Sequence, residues 1–473
     1  MTRLALLLAA FAAPALAQTP AITQPAAPSP PPQPVAVDPY VARLRDAALT
    51  DDIAYGMVEG LTTEVGQRLA ATEAEARART WAVAKLRAMG FRNVRVEPFP
   101  MPAWVRGEEK AEIVAPFPQK LVLTALGNSG ATPPEGLTAP VVVFREYNDL
   151  LVAPDGSLRG KIVYIGHAMA PTEDGSSYGA YGVARRAGPA LAARKGAAAV
   201  VIRSIGTSDH RFPHTGGTNF PAGVAPIPAA ALSGPDADQL ERVAARGRPI
   251  TMRLTLTPRF LGQAESGNVI AEVPGTDPAA GLVLIGGHLD SWDLGTGAID
   301  DASGVAITAA AAKRILDSGR RPRRTIRLVW FGAEEMGVFG GRAYAARHGG
   351  ERHAVASESD FGADRIWRFE TNLPASAAAV ADRLGAALAP LGIPRGTGVA
   401  GDGADIGAIV ARGVAAVDLN QSGTRYFDTH HTPNDTLDRI DPAQLRQNVA
   451  AWTTMLAVVA NAPEEIGPVR PRN

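Results

Sequence analysis

The chain has 473 residues, of which 46% are hydrophobic and 20% are charged. This composition is typical of globular proteins and excludes a wholly disordered chain. The 47 basic and 47 acidic side chains cancel, so no basic excess favours nucleic acid as the main partner. The sequence has no cysteine, which excludes disulfides, thiolate metal ligands and a cysteine nucleophile.

The first residues have the pattern of a signal peptide. Arg3 is followed by an apolar run at 4–16, and the sequence Ala-Leu-Ala ends at Ala17. We therefore predict a signal peptide at 1–17 and an exported protein, periplasmic or secreted; a buried N-terminal helix is the alternative. The apolar run is shorter than the about 20 residues that cross a bilayer, so no membrane span is expected. Residues 18–37 are rich in Pro and Ala, which predicts a disordered linker.

The composition changes near residue 117. Before it, 38–61 and 72–89 have helical spacing, and 92–99 alternates like a strand. Between 117 and 261 the chain has one helical stretch at 183–195 and many glycines and prolines, together with short β runs at 141–144, 161–165 and 198–203. We predict that 117–261 is a β-rich insert within one domain formed by 38–116 and 262–473.

After Gly267 the chain alternates between strands and helices. The predicted strands are 269–273, 282–285, 326–331, 355–358 and 415–419, and the predicted helices are 302–316, 338–347, 375–388 and 442–459. Such alternation predicts an α/β fold with a mostly parallel sheet that is covered by helices on both faces.

Side chains of the types that can bind or support a metal follow the ends of these predicted strands. They are His288, Asp290, Asp300, Glu334, Glu335, Asp360, His430 and His431. Each fragment alone has an ordinary explanation, such as a helix N-cap for Asp300-Asp301. Ligands of open α/β sheets bind at the carboxyl ends of strands, so we expect these side chains to converge. Imidazoles and carboxylates without thiolates are typical of a hydrolytic zinc site.

Four motifs extend this interpretation to a family. HLDSWDLGTGAIDDASG, FGAEEMG, ESD and HHTPNDT resemble the site motifs of the co-catalytic zinc exopeptidases, which include leucyl aminopeptidases and glutamate carboxypeptidases. HLDSWDLG and HHTPNDT are most similar to the plasma glutamate carboxypeptidase (carboxypeptidase Q) branch. RGKIVYIG and KGAAAVVIRS resemble a protease-associated domain. The resemblance implies the zinc-exopeptidase (phosphorylase/hydrolase-like) fold with an inserted protease-associated domain. It also implies an aminopeptidase, carboxypeptidase or dipeptidase that acts on short peptides or unblocked dipeptides.

The resemblance also assigns roles to residues. His288 and His431 would each bind one of two Zn²⁺ ions, and Asp300 would bridge them. Glu335 and Asp360 would each complete one metal's ligand set. Glu334 would be the general base, and the Asp300–Asp301 peptide bond would be cis.

Charge balance agrees with these roles. Two zinc ions carry four positive charges and the three carboxylates return three, so a bridging hydroxide makes the centre neutral and favours ionisation of water. Glu334 would take the proton from that water and pass it to the leaving amine. We expect Asp290 to accept the second N–H of His288, and Asp435 to do the same in the His431 loop.

The predicted substrate contacts are His430, Asp405, Trp292, Arg425 and Tyr426. Asp405 would bond a backbone group or a substrate amine, and Trp292 would line a subsite or pack against the protein. Arg425 and Tyr426 would meet a substrate carboxylate. A single-zinc glutaminyl cyclase and a catalytically inactive binding homologue are the alternative functions. A homodimer is the expected assembly.

Overall fold

A computed structural model describes residues 35–401 and 403–471. The predicted signal peptide and the linker up to residue 34 lie outside these residues. None of the helices in the described ranges is long and apolar enough to cross a membrane.

The strands are, in chain order, β1 (Arg92–Val105), β2 (Glu109–Ala115), β3 (Gln119–Leu121), β4 (Leu123–Ala125), β5 (Leu137–Phe144), β6 (Ile162–Ile165), β7 (Ala199–Arg203), β8 (Ala229–Leu232), β9 (Thr251–Leu256), β10 (Arg259–Val273), β11 (Leu282–His288), β12 (Thr325–Phe331), β13 (His353–Glu358), β14 (Ile366–Asn372) and β15 (Ala415–Gln421). The α-helices are α1 (Pro39–Ala48), α2 (Ile53–Glu64), α3 (Glu73–Ala88), α4 (Tyr147–Val152), α5 (Ser176–Tyr181), α6 (Val183–Arg186), α7 (Gly188–Arg194), α8 (Gly234–Ala244), α9 (Ser303–Asp317), α10 (Phe339–His348), α11 (Ala378–Leu388), α12 (Gly407–Val410), α13 (Tyr426–Thr429) and α14 (Pro442–Val459).

The first sheet has seven strands in the order β1-β10-β12-β11-β13-β15-β14. Its central strands β12, β11, β13 and β15 are parallel, whereas β1, β10 and β14 add antiparallel edges. The predicted α/β fold class is therefore confirmed, and the parallel strands form its centre. The edge strand β14 is absent from the sequence prediction.

Both faces of this sheet are buried because helices cover them, as the sequence predicts. Along β11, Val283 and Ile285 face one core while Leu284 faces the other, because side chains alternate along a strand. Helices α9 and α14 pack together on the first face, and α10 and α12 on the second. Helices α1 and α2, which precede the insert, pack against α14 and α9 of this sheet. The predicted helix at 38–61 is two helices, α1 and α2.

The second sheet has eight strands in the order β3-β2-β9-β5-β6-β7-β8-β4. It starts with β2 at Glu109 and ends with β9 at Leu256, so its edges differ from the predicted bounds of 117 and 261. The predicted helix at 183–195 is interrupted at Ala187 and forms α6 and α7. The long ribbon of β1 and β10 joins this insert to the first sheet.

Candidate metal centre and its cavity

The predicted ligands converge at the carboxyl ends of the parallel strands. His288 is the last residue of β11, Glu334 and Glu335 follow β12, and Asp360 follows β13. Asp300 lies in the irregular turn Ala298–Ala302 that precedes α9. His430 and His431 follow the short helix α13. These segments meet because parallel strands end at one edge of a sheet.

The candidate metal-binding side chains form two groups of three, and Asp300 belongs to both. We call these groups the first and the second triad. In the first triad, His288 Nε2 lies 3.1 Å from Asp300 Oδ1 and 3.3 Å from Asp360 Oδ1. In the second triad, His431 Nε2 lies 3.1 Å from Asp300 Oδ2 and 3.0 Å from Glu335 Oε2. Each oxygen of Asp300 thus faces a different histidine, which is the arrangement that a carboxylate bridging two cations requires.

The chemistry of this cluster fits bound cations. Asp300 Oδ2 and Glu335 Oε1 are buried without a hydrogen-bond partner. Burial lowers the pKa of His288, but Asp360, Asp290 and Asp300 outweigh it and raise that pKa well above its usual range. The pKa of His431 is likewise raised against burial, first by the charge of Glu335. Concentrated buried negative charge of this kind is compensated by metal ions in proteins.

Close backbone packing explains the glycines around the first triad. A Cβ at Gly287 would lie 2.3 Å from Asp301 Oδ2, and one at Gly304 would lie 1.9 Å from the carbonyl oxygen of Ser359. The space is filled by the Asp301 carboxylate, which accepts hydrogen bonds from the backbone N–H groups of His288 and Gly304. The Asp300–Asp301 peptide bond is cis, as the resemblance implies.

The side chain of Asp290 has a different role from the one predicted. His288 Nδ1 lies 3.0 Å from the backbone carbonyl oxygen of Asp290 and 3.7 Å from its carboxylate. The carboxylate instead accepts hydrogen bonds from the backbone N–H groups of Glu334 and Glu335, at 3.0 and 3.3 Å. Ala333, which precedes this pair, has a φ of 58°, a strained value for a residue with a side chain. Asp290 therefore holds the turn that presents Glu334 and Glu335.

Asp435 also differs from its prediction. Its carboxylate accepts hydrogen bonds from the backbone N–H groups of Ala298, Ile299 and Asp300, at 2.7 to 3.2 Å, and it therefore holds the Asp300 loop rather than His431.

Arg68, which sequence reasoning missed, supports the neighbouring loop. Its fully buried guanidinium donates to the carbonyl oxygens of Leu289, Thr296 and Gly297. A lone arginine far from the motif carries no local sequence signal for this role.

The insert orients His431. The backbone carbonyl of Thr215 lies 3.1 Å from His431 Nδ1, and the Thr215 N–H donates to the His431 carbonyl. The Arg185 guanidinium donates to the same Thr215 carbonyl and lies 3.5 Å from His431 Nδ1. His214 Nδ1 contacts the carbonyl of His430 at 2.6 Å. A hydrogen bond at the second ring nitrogen is typical of a metal-bound histidine, because it determines the tautomer.

His430 and His431 are distinguished by these contacts. Both are buried and their rings stack 3.5 Å apart. His430 Nε2 lies 3.5 Å from Asp300 Oδ2, so His430 also belongs to a group that could hold a metal. However, His430 Nδ1 has no hydrogen-bond partner, whereas His431 Nδ1 has one. The geometry favours His431 as the ligand.

A cavity of about 370 Å³ opens beside the two triads. Glu334, His430 and Tyr426 line it, together with Tyr178 and Arg185 of the insert. Burial is the main reason why the pKa of Glu334 is raised well above its usual range, and the nearby carboxylates add to this shift. Glu334, a side chain that can accept a proton, thus lines the same cavity as the candidate metal ligands.

Three other predicted contacts lie outside this cavity. Trp292 is buried behind the second triad, where it packs against Gly127 and the ring of His431. Asp405 is buried and accepts a hydrogen bond from the N–H of Gly341, so it bonds a backbone group. Arg425 is paired with Asp364 on the surface. Trp292 thus packs against the protein, which is one of its two predicted roles. Arg425 does not line this cavity, and its contact with a substrate carboxylate stays a prediction.

Known proteins are similar to this chain over most of its length. Residues 268–456 match the sequence model of peptidase family M28. Carboxypeptidase Q of Bos taurus is 35% identical over 407 residues, which cover 85% of this chain and 84% of the bovine protein. Carboxypeptidase Q of Homo sapiens is 34% identical over 406 residues, with 85% and 84% coverage.

Solved structures show the same fold. The crystal structure of a peptidase M28 precursor from Shewanella amazonensis SB2B is 46% identical, has a TM-score of 0.89, and matches over 91% of this chain and 98% of that chain. A zinc aminopeptidase from Bacillus subtilis is similar in fold alone, at 19% identity and a TM-score of 0.62, with 88% and 97% coverage. The chain therefore belongs to peptidase family M28 and is, with that family, a zinc-dependent exopeptidase.

Proposed function

We propose that the chain is a dinuclear zinc exopeptidase that hydrolyses short peptides or unblocked dipeptides. The observation that carries this proposal is the pair of donor triads with Asp300 in common. The single-zinc glutaminyl cyclase alternative needs only one such triad, and the second triad therefore disfavours it.

Each ion would have its own protein ligands. His288 and Asp360 would hold one zinc, His431 and Glu335 the other, and Asp300 would bridge the two. When bound, zinc supplies the Lewis acidity that polarises a peptide carbonyl and lowers the pKa of water.

The proton transfers are assigned to Glu334. Its carboxylate would accept a proton from the attacking water and return it to the amine that leaves when the peptide bond breaks. Asp290 would support this step, because its carboxylate holds the backbone of Glu334 in place. His430 and Tyr426 would contact the substrate from the cavity wall.

Two further features concern export and the insert. We propose residues 1–17 as a signal peptide, and the insert, predicted at 117–261, as a protease-associated domain. The second sheet, from β2 to β9, is consistent with such an insert. The similarity to carboxypeptidase Q supports a peptide with a free C-terminus as substrate. A homodimer is proposed as the assembly, to be tested by light scattering.

The test is Glu334→Gln, which keeps the size of the side chain but removes its basicity. We expect the variant to bind as much zinc as the wild type, while kcat for dipeptides falls by about 10² to 10⁴-fold, the usual contribution of a general base. The control is Glu135→Gln, an exposed carboxylate of the insert. Unchanged hydrolysis by Glu334→Gln would contradict the assignment.

A further inference from the structure

One loop connects two of the candidate metal ligands. His288 ends β11, Asp300 lies in the turn before α9, and residues 289–297 join them. The conformation of this loop therefore determines where the two side chains lie relative to each other. The loop belongs to neither a helix nor a strand, so its backbone groups need partners elsewhere in the protein.

Arg68 binds this loop at both of its ends. Its guanidinium donates from Nε to the carbonyl oxygen of Leu289 at 2.5 Å, which is the first residue of the loop. It also donates from Nη1 and Nη2 to the carbonyl oxygens of Thr296 and Gly297, at 2.5 and 2.8 Å, which are the last two. The backbone N–H and carbonyl of Arg68 add two hydrogen bonds to Ser291 between these points. One side chain thus fixes the distance between the two ends of the loop.

The charge of Arg68 also acts on the site. Its guanidinium is fully buried and, among the described residues, forms no ion pair. Burial lowers the pKa of Arg68, and the negative charges of Asp435 and Asp290 act against this shift. Both carboxylates are themselves buried and accept hydrogen bonds from backbone N–H groups of the site. Because a buried cation offsets the cost of burying such carboxylates, Arg68 stabilises its loop by hydrogen bonds and these neighbours by charge.

We propose that Arg68 is a positioning residue of the metal centre, which sets the separation of His288 and Asp300 and thereby the zinc affinity of the first triad. This inference rests on the proposed dinuclear function and deepens it, because it names a residue outside the ligand set that determines how tightly one ion is held. The second triad shares Asp300 but takes His431 and Glu335 from other segments. It therefore depends less on Arg68.

A second buried arginine provides a matched control. Arg324 is 1% exposed, and at 2.5 to 3.0 Å it donates to the carbonyl oxygens of Ala280, Val459, Ala462 and Glu464. It directly precedes β12, whose other end leads to Glu334. Replacing Arg324 therefore removes the same kind of hydrogen bonds from the same sheet, at the end of the strand that does not carry the metal ligands.

The experiment compares wild type, Arg68→Met, Arg68→Lys and Arg324→Met after the metal has been stripped. Competition between zinc and a chelator measures the affinity for each ion, anomalous diffraction locates the ions, and thermal unfolding in chelator gives Tm. We expect Arg68→Met to weaken zinc binding at the first triad by about 10- to 100-fold, the usual effect of losing a residue that orients metal ligands. Arg68→Lys keeps the charge but not the planar fork of donors, so it should recover part of the loss. Arg324→Met should lower Tm and bind zinc like the wild type.

Two results would overturn the proposal. One is wild-type zinc affinity in both Arg68 variants, and the other is an equal loss of zinc affinity in Arg68→Met and Arg324→Met, which would be an effect of general stability. If Arg68→Met does not fold, Arg68→Lys decides: weaker zinc binding at the first triad with the Tm of the wild type supports the proposal, and unchanged zinc binding overturns it. Because zinc binding is measured without turnover, the result stands even if the chain hydrolyses no peptide, which would contradict the proposed function alone.

Discussion

The first sheet and the insert contribute different things to one site. The loops at the ends of β11, β12, β13 and β15 carry all the predicted metal ligands. The insert carries none of them, but it supplies the carbonyl that orients His431 and two arginines of the cavity wall, Arg185 and Arg186. The difference indicates that the sheet supplies the metal-binding side chains, while the insert helps to orient one of them.

The two regions are tied together by a partly buried ion pair as well as by backbone contacts. Arg106, just before β2, donates to Asp293 in the loop that follows His288, and to Thr215 in the insert. Thr207 of the insert bonds Asp428, close to the His430 loop. The insert therefore cannot move away from the metal centre without breaking contacts to it.

The largest expected effect distinguishes His431 from its neighbour His430, which both belong to the first-sheet part of the site. His431→Ala removes a donor of the second triad, and we expect one zinc per chain to be lost and kcat/KM to fall by at least about 10³-fold. His430→Ala should keep both ions and lose about 10- to 100-fold. Metal analysis and dipeptide kinetics check both. Equal zinc loss in the two variants would show that the ligand assignment is wrong.

A smaller expected effect tests whether the insert supports the His430–His431 loop. His214 is buried, its pKa is lowered to about 3 mainly by burial, and it contacts the His430 carbonyl as a neutral imidazole. His214→Ala should loosen the His430–His431 loop and weaken zinc binding at the second triad by about 10- to 100-fold.

The control is His210→Ala, which removes an exposed histidine of the same insert loop. Competition with a chelator measures the affinity of each variant. If both variants bind zinc like the wild type, the insert does not position His431.

The smallest expected effect is on the free energy of unfolding rather than on catalysis. It concerns Glu75 of α3. The carboxyl lies against Arg79 and Ser266, and burial raises its pKa from 4.5 to about 7. A raised folded-state pKa stabilises the fold below about pH 4.5, and this contribution disappears as pH rises through 7. Glu75→Gln should therefore gain stability relative to wild type between pH 5 and 8, by about 3 kcal/mol at most.

Denaturant unfolding of both proteins in chelator, at pH 5 and pH 8, checks this difference. The carboxylates of the metal centre titrate in both proteins and cancel in the comparison. Parallel pH dependence of the two proteins would refute the role of Glu75, and zinc binding should be the same in both.

The sequence predicts the candidate metal ligands of the first sheet much better than the contacts that the insert makes with them. Strand-ending motifs such as GGH and GAEE place His288 and Glu334 because the residue types and the local pattern coincide. The support of His431 is not predictable in this way, because Thr215 acts through its backbone carbonyl and its side-chain type is immaterial. Arg68 is an isolated arginine whose role depends on loops distant in sequence. The carboxylate of Asp290 was misassigned because spacing alone does not show which of its oxygens faces His288.

The central claim is that Asp300 lies between two ions, and the zinc content of the chain tests it most directly. Protein that begins at Gln18, after the proposed signal peptide, should be stripped with chelator, reloaded and analysed for bound metal, with anomalous diffraction to locate each ion. The account predicts two zinc ions per chain, one beside His288 and Asp360 and one beside His431 and Glu335. A single ion per chain, or two ions of which neither contacts Asp300, would contradict it.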